Sequence, residues 1–117
     1  MAATGVRDQR ELTVRVTDAE GVLVAGLSGW TWGTCAGVAM LWVREDSRRA
    51  GWGRHLLDAA EREAAARGCR QMVLSSFKFQ APGFYDRQGY VETGRTEGLP
   101  VSGAVDVHFV KPLLRDS

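Results

Sequence analysis

The residues with the clearest chemical purpose stand together at Arg48-Arg49-Ala50-Gly51-Trp52-Gly53-Arg54, between an apolar run and a helical pattern. A loop entering a helix exposes backbone N–H groups that lack an intrahelical partner, at the positive end of the helix dipole. Glycines at 51 and 53 let a diphosphate approach the main chain without meeting a Cβ. Arginines at 48, 49 and 54 add charge-assisted bonds to phosphate oxygens. The chemistry is anion binding, and these residues do not say which anion. The same set would also serve a plain strand-to-helix turn with solvated arginines. The strand before it, the amphipathic helix after it and the spacing of the glycines weigh against that. No GxxxxGK[ST] run exists, which excludes a Walker loop. A Rossmann fingerprint fits poorly, because the upstream strands form a hairpin and no third glycine follows.

The elements that must hold this loop are legible on both sides. Leu12, Val14 and Val16 alternate with Thr13 and Arg15 as a strand does. Asp18 to Gly21 is a turn, and Val22 to Leu27 a second strand that closes a hairpin. Gly26 and Gly29 weaken that strand and point to a bulge or a close backbone approach. A third strand spans about Cys35 to Val43. Its end, Val38 to Val43, is apolar throughout, which predicts cover on both faces. Arg44 to Arg49 is a charged loop. A helix follows from about Gly51, with Leu56, Leu57, Ala60 and Ala64 on its apolar face and Gly68 as terminator. Asp58–Arg62 and Glu63–Arg67 are acid-then-base pairs expected on its solvent face.

Gln71 to Ser75 is the next strand, parallel to the third if the helix is a right-handed crossover. A short helix, about Ala81 to Gln88, is opened by Pro82 and ended by Gly89. Tyr90 to Thr93 and Val105 to Phe109 are the last strands, joined by a polar connection from Gly94 to Gly103.

At 117 residues the chain is expected to form one domain over 1–117, with 1–10 a loose end. Hydrophobic residues make up 44% and charged residues 25%, enough for a core without a metal or a disulfide. Cys35 and Cys69 form no CxxC pair and are expected to stay reduced, as in a cytoplasmic protein. The formal net charge of +1 argues against a nucleic-acid or membrane partner. No run approaches about 18 consecutive apolar residues, so a membrane-spanning helix is excluded. The N-terminus has no signal-peptide pattern, and a cytoplasmic location is the expectation.

Arg-x-x-Gly-x-Gly at Arg48 to Gly53, after an apolar strand, resembles the acetyl-CoA pyrophosphate signature of GNAT N-acetyltransferases. A second stretch, Phe77 to Tyr90, resembles the superfamily's Ala-x-x-Phe-Tyr-x-x-x-Gly-Tyr/Phe segment, which packs along the pantetheine arm and the thiol end. The resemblance runs from about Leu12 to Leu113. It is closest to a compact bacterial subgroup without the usual N-terminal helices. It implies an α+β fold: a mixed, mostly antiparallel central sheet with helices packed on it. It also implies a cytoplasmic enzyme that moves acetyl from acetyl-CoA to a primary amine by direct attack, with no acyl-enzyme and no metal. By position, Leu41, Trp42 and Val43 would run beside the pantetheine arm. Arg48, Arg49, Ala50, Gly51, Trp52, Gly53 and Arg54 would hold the pyrophosphate, and Phe84 would pack on the cofactor. Tyr85 matches the tyrosine that protonates the departing thiolate.

The acceptor side departs from the pattern. Ala39 stands where relatives place an acidic residue to receive the amine's proton, and Ser75 and Ser76 are neutral where they tend to carry another acid. Pro100 to Gly103 keeps only part of a Pro-x-Gly-His element, since Ala104 follows. The remaining proton acceptors are His108, Glu92, Glu97 and water, with water the default. His108 is expected to face solvent or a neighbouring strand, and His55 the surface. Trp30, Trp32, Trp42 and Trp52 read mainly as core and sheet-face packing. Trp30 and Trp32 share one face of a regular strand and are the best substrate-facing aromatics. Little chain precedes Leu12, so the site is expected either to open to a large acceptor or to be completed by another subunit in a homodimer. The acceptor class is a small-molecule or peptide amine. A non-catalytic acyl-CoA-binding module of the same fold is the alternative, and a nucleic-acid module using Arg44, Arg48, Arg49 and Arg54 a weaker one.

Overall fold

The computed structural model describes residues 9–48, 50–77, 83–98 and 105–113. The alternating N-terminal segment forms β1 (Arg10–Thr17), with Leu12 buried on its inner face. Asp18 turns the chain: its Oδ1 accepts hydrogen bonds from the backbone N–H groups of Glu20 at 2.9 Å and Val22 at 3.0 Å. β2 (Leu23–Trp32) returns antiparallel to β1, and β3 (Cys35–Val43) returns antiparallel to β2. A 3-10 turn at Glu45–Ser47 leads to α1 (Trp52–Ala66), which crosses to β4 (Gln71–Phe77), parallel to β3. A single helical turn, α2 (Phe84–Arg87), precedes β5 (Val91–Glu97) and β6 (Val105–Pro112). The six strands lie in the order β1-β2-β3-β4-β6-β5, so one parallel pair sits inside an otherwise antiparallel sheet.

The helical period puts Leu56, Leu57, Ala60 and Ala64 on one buried face of α1. They meet Leu12, Ala25, Leu27, Ala36, Met72 and Leu74 from β1 to β4. The helix stops where Gly68 takes φ +92. The N–H of Cys69 then reaches Ala64 O at 2.9 Å and that of Gly68 reaches Ala65 O at 3.0 Å, which closes a Schellman motif. Phe84, Tyr85 and Tyr90 pack against the same core, so both helices lie on one face of the sheet.

Several expectations change. Val38 to Val43 is not covered on both faces: Met40 is 64% exposed and Trp42 40% exposed. Leu41 and Val43 point to the core, while Met40 and Trp42 stand on the face that no described helix covers. Arg67 is not a solvent-face residue. It pairs with Glu63 at 2.9 Å, and it also donates to Glu11 O at 2.8 Å and Thr31 Oγ1 at 3.1 Å, tying α1 to β1 and β2. Asp58 pairs with Arg54 at 3.9 Å, one turn earlier than Arg62. β2 runs on through Trp32, and β5 through Glu97 into the stretch read as a polar connection. Of the expected helix from Ala81 to Gln88, the described part begins at Phe84 after Gly83; Ala81 and Pro82 lie outside the described residues.

The sequence reading also missed a buried polar cluster between α1 and the sheet. Tyr90 Oη donates to Glu61 Oε2 at 2.9 Å, and Lys111 Nζ pairs with Glu61 Oε1 at 2.8 Å. Both Cys35 and Cys69 are free thiols.

Candidate active site

β3 and β4 pair only at Cys35–Gln71, Ala36–Met72 and Gly37–Val73. Beyond that point β3 stays with β2 and β4 stays with β6, so the two strands separate. From Val38 to Val43 the edge of β3 turned toward β4 therefore carries peptide groups without a ladder partner. Such groups are obligatory hydrogen-bonders, and here they line an opening in the middle of a sheet. The separation starts beside a bulge. Ser28 faces Met40 and Gly29 faces Val38, which leaves Ala39 as the extra, exposed residue. A Cβ on Gly29 would overlap the Gly37 carbonyl oxygen, so the close approach expected at Gly29 is the bulge itself.

The loop after β3 leads to the open end of this gap. Arg48 Nε donates to Val43 O at 3.2 Å, which fastens the loop to the end of the strand. Gly51 caps α1 in the left-handed region at φ 83, a conformation in which a Cβ is strained. No side chain caps the helix and no acidic residue lies in its first turn. His55 N–H reaches Gly51 O at 3.0 Å, and the earlier N–H groups remain to receive an anion. Gly53 also has a packing role: an added Cβ would stand 3.0 Å from the Phe84 ring, so this glycine lets α2 close on α1. Arg54 and Ala50 are exposed, and Trp52 packs against the core. Arg49 lies outside the described residues. Arg44 is engaged elsewhere, with Asp46 at 2.6 Å and Asp18 at 3.9 Å.

Tyr85 sits below the sheet, its ring 5.0 Å from Phe84, 5.9 Å from Tyr90 and 5.5 Å from Phe109. Burial raises its pKa above the ordinary phenol value, so the group stays protonated at neutral pH.

On the opposite face, a cavity of about 560 Å³ opens at the apex where β3 leaves β4. Trp30 and Val38 form its apolar wall, and Gln71, Ser75, Thr93 and His108 supply polar groups. The Trp30 indole lies against Gly37, where an added Cβ would collide with the ring. His108 does reach a neighbouring strand: its Nε2 is 2.8 Å from Thr96 Oγ1 of β5. Glu92 is bound by Arg95 at 2.6 Å, and neither Glu92 nor Glu97 lines the cavity. His55 is exposed, with its ring 5.7 Å from Trp52. Trp32 is exposed on the cavity's face of the sheet, and Trp42 stands on the same face.

A separated parallel strand pair feeding an uncapped helix start is paired with a sequence match over most of the chain. The profile of the acetyltransferase (GNAT) family matches residues 3–90. The chain belongs to the GNAT acetyltransferase family. This GNAT chain is 40% identical over 94 residues to blasticidin-S acetyltransferase of Streptomyces morookaense, across 74% of this chain and 67% of that protein. The crystal structure of an acetyltransferase from Bacillus cereus superposes with a TM-score of 0.84 at 37% identity, covering 90% of this chain and 74% of that one. An aminoglycoside 6'-N-acetyltransferase complexed with coenzyme A shares the fold, with a TM-score of 0.79 at 18% identity over 92% of this chain and 75% of that one.

GNAT acetyltransferases use acetyl-CoA, and the residues here fit it. The loop offers uncapped N–H groups and a cradle at Gly51 that a side chain would strain. The β3 edge offers peptide donors and acceptors for an amide-bearing arm. Among the described residues, no group of three or more His, Cys, Asp or Glu side chains is placed to hold a metal, and no helix is long and apolar enough to cross a membrane.

Proposed function

We propose that this protein transfers the acetyl group of acetyl-CoA to a primary amine of a small polar molecule. The observation that carries the reading is the separation of β3 from β4, which joins the anion-binding loop on one side to the apical cavity on the other. Acetyl-CoA supplies an acyl group already activated as a thioester. The N–H groups at the start of α1, with the neighbouring arginines in sequence, Arg48, Arg49 and Arg54, bind its pyrophosphate. Leu41, Trp42 and Val43 present main-chain groups to the pantetheine arm, and Ala50, Trp52 and Phe84 pack around the bound cosubstrate. A backbone N–H of this stretch is a fixed donor for the carbonyl oxygen on which charge grows during attack. The amine enters by the cavity and attacks directly, so no side-chain nucleophile is required.

Tyr85 gives its proton to the departing thiolate. Tyr85→Phe is expected to lower kcat roughly 100-fold, the lower end for loss of a general acid. The affinity for acetyl-CoA, measured by calorimetry, should stay near that of the unmodified protein. An unchanged kcat would remove Tyr85 from the chemistry.

The similarity to a blasticidin-S acetyltransferase makes blasticidin S the first acceptor to try, beside spermidine, tyramine and a dipeptide with a free N-terminus. Thiol release with any of them, and an acetylated product by mass spectrometry, is the expected result. One observation favours a second reading. The bulge residue is Ala39, with no acid to receive the amine's proton, as in a non-catalytic acyl-CoA-binding module. Tight acetyl-CoA binding without turnover on this panel would favour that reading.

A further inference from the structure

We infer that His108, held by Thr96, is the group in this chain that receives the amine's proton. The inference rests on the transferase reading above and deepens it on the acceptor side. An alkylammonium has an ordinary pKa of about 10.4, so at neutral pH the acceptor arrives mostly protonated and unable to attack. In the transfer the amine nitrogen bonds to the acyl carbon, the C–S bond breaks, and the leaving thiolate is protonated. From an ammonium two protons leave the nitrogen: one before attack, which needs an acceptor, and one as the amide forms, which balances the proton given to the thiolate. Among the described residues lining the apical cavity, His108 is the one with a basic side-chain nitrogen.

The surroundings suit that role. Where Nε2–H donates to Thr96 Oγ1 across the 2.8 Å contact, Nδ1 carries the lone pair, and the hydroxyl holds the ring in place. His108 lies opposite Ser75 of β4 and Gly94 of β5. The side chains facing it from β4 are Ser75, Val73 and Gln71, from β5 Thr93 and Thr96, and from β2 Trp30. All are uncharged. On β3 the titratable group of that face is Cys35, and on β6 it is Asp106, two residues before His108 and opposite Thr96. Among the described lining residues no carboxylate pairs with the ammonium form and holds its proton on the nitrogen. Ala39 fits this arrangement, since the acid absent from the bulge is replaced by a base on β6. Thr96 is a positioning residue; His108 is the catalytic one.

The test is the pH dependence of kcat/KM with the fastest acceptor of the amine panel above, for the unmodified protein, His108→Gln, Thr96→Val and Thr96→Ser. The unmodified protein should show a rising limb governed by one ionisation. His108→Gln should lose on the order of 100-fold in kcat together with that limb, while its melting shift with acetyl-CoA is retained. Thr96→Val should displace the limb and lower kcat less, and Thr96→Ser should restore both. If His108→Gln does not fold, the Thr96 pair reads the same interaction, and an unmoved limb in Thr96→Val overturns the proposal. An unaltered rate and limb in His108→Gln also overturns it and leaves the transferase reading intact. If the unmodified protein binds acetyl-CoA and acetylates no amine of the panel, both readings fall.

Discussion

Gly51→Glu is expected to abolish acetyl-CoA binding. Two effects combine at this position. At φ 83 any L side chain is strained, by roughly 1–2 kcal/mol. The added carboxylate would also stand at the helix start where the pyrophosphate must sit. Like charges about 4–5 Å apart at an effective dielectric near 20 repel by about 3–4 kcal/mol, two to three decades in Kd. A glutamate at a helix N-terminus favours the helix itself, so the apo protein should remain folded. Gly51→Asn separates the two effects, because asparagine tolerates the left-handed region and carries no charge. Calorimetry with acetyl-CoA should show measurable binding for Gly51→Asn and none for Gly51→Glu. Equal affinities for both would move the anion site away from this loop.

Glu61→Ala is expected to cost about 2–3 kcal/mol of stability, a drop on the order of 10 °C in melting temperature. It leaves the Tyr90 hydroxyl and Lys111 Nζ without their shared partner. Tyr90 is 3% exposed, so its hydroxyl recovers little hydration when the carboxylate is removed. The Lys111 side chain is 26% exposed and recovers some hydration, which keeps the loss below that of a fully buried pair. Glu61→Gln preserves an acceptor for Tyr90 and should lose less. The cluster also fixes the alkaline behaviour. Burial first, and then the neighbouring Glu61 carboxylate, pushes the Tyr90 phenol well above its ordinary value of 10.0. Below that value the native and unfolded forms are both protonated, and the stability is fully present. Above it the unfolded chain releases the proton while the native chain retains it, so stability falls as pH rises. The slope should approach about 1.4 kcal/mol per pH unit for this tyrosine. Tyr85, raised by burial, adds with the same sign. Urea midpoints measured on either side of pH 10 check this, and Tyr90→Phe should flatten the curve.

The turn from β3 into α1 is legible in the sequence because its signals are local. The helical pattern begins at about Gly51, and the spacing of Leu56, Leu57, Ala60 and Ala64 gives the buried face of α1 directly. The acceptor side depends on pairings between distant residues. Ala39 becomes a bulge only because Ser28 pairs with Met40 and Gly29 with Val38, a register no single strand encodes. The run from Val38 to Val43 looks doubly covered, yet Met40 and Trp42 face outward; an apolar run cannot report that one face lacks a covering layer. The strand read from Tyr90 to Thr93 stops short of Glu97 because Gly94 and the polar Arg95, Thr96 and Glu97 resemble a connection, as befits an edge strand. That boundary leaves Thr96 outside the sheet and hides the contact that holds the His108 ring. Glu61 was overlooked because its partners, Tyr90 and Lys111, lie far along the chain. The contact of Gly53 with Phe84 is not legible either, because the two residues are distant in sequence.

The most direct test of the central claim is the thermal melt of the unmodified protein alone and with excess acetyl-CoA, free CoA or ATP. At about 100 times Kd, a ligand that binds only the native chain stabilises it by about 2.7 kcal/mol, several degrees for a domain of this size. Upward shifts with acetyl-CoA and CoA, both larger than with ATP, are the predicted result. No shift at millimolar acetyl-CoA, or one that ATP matches, would contradict the assignment of the gap between β3 and β4 as an acetyl-CoA site.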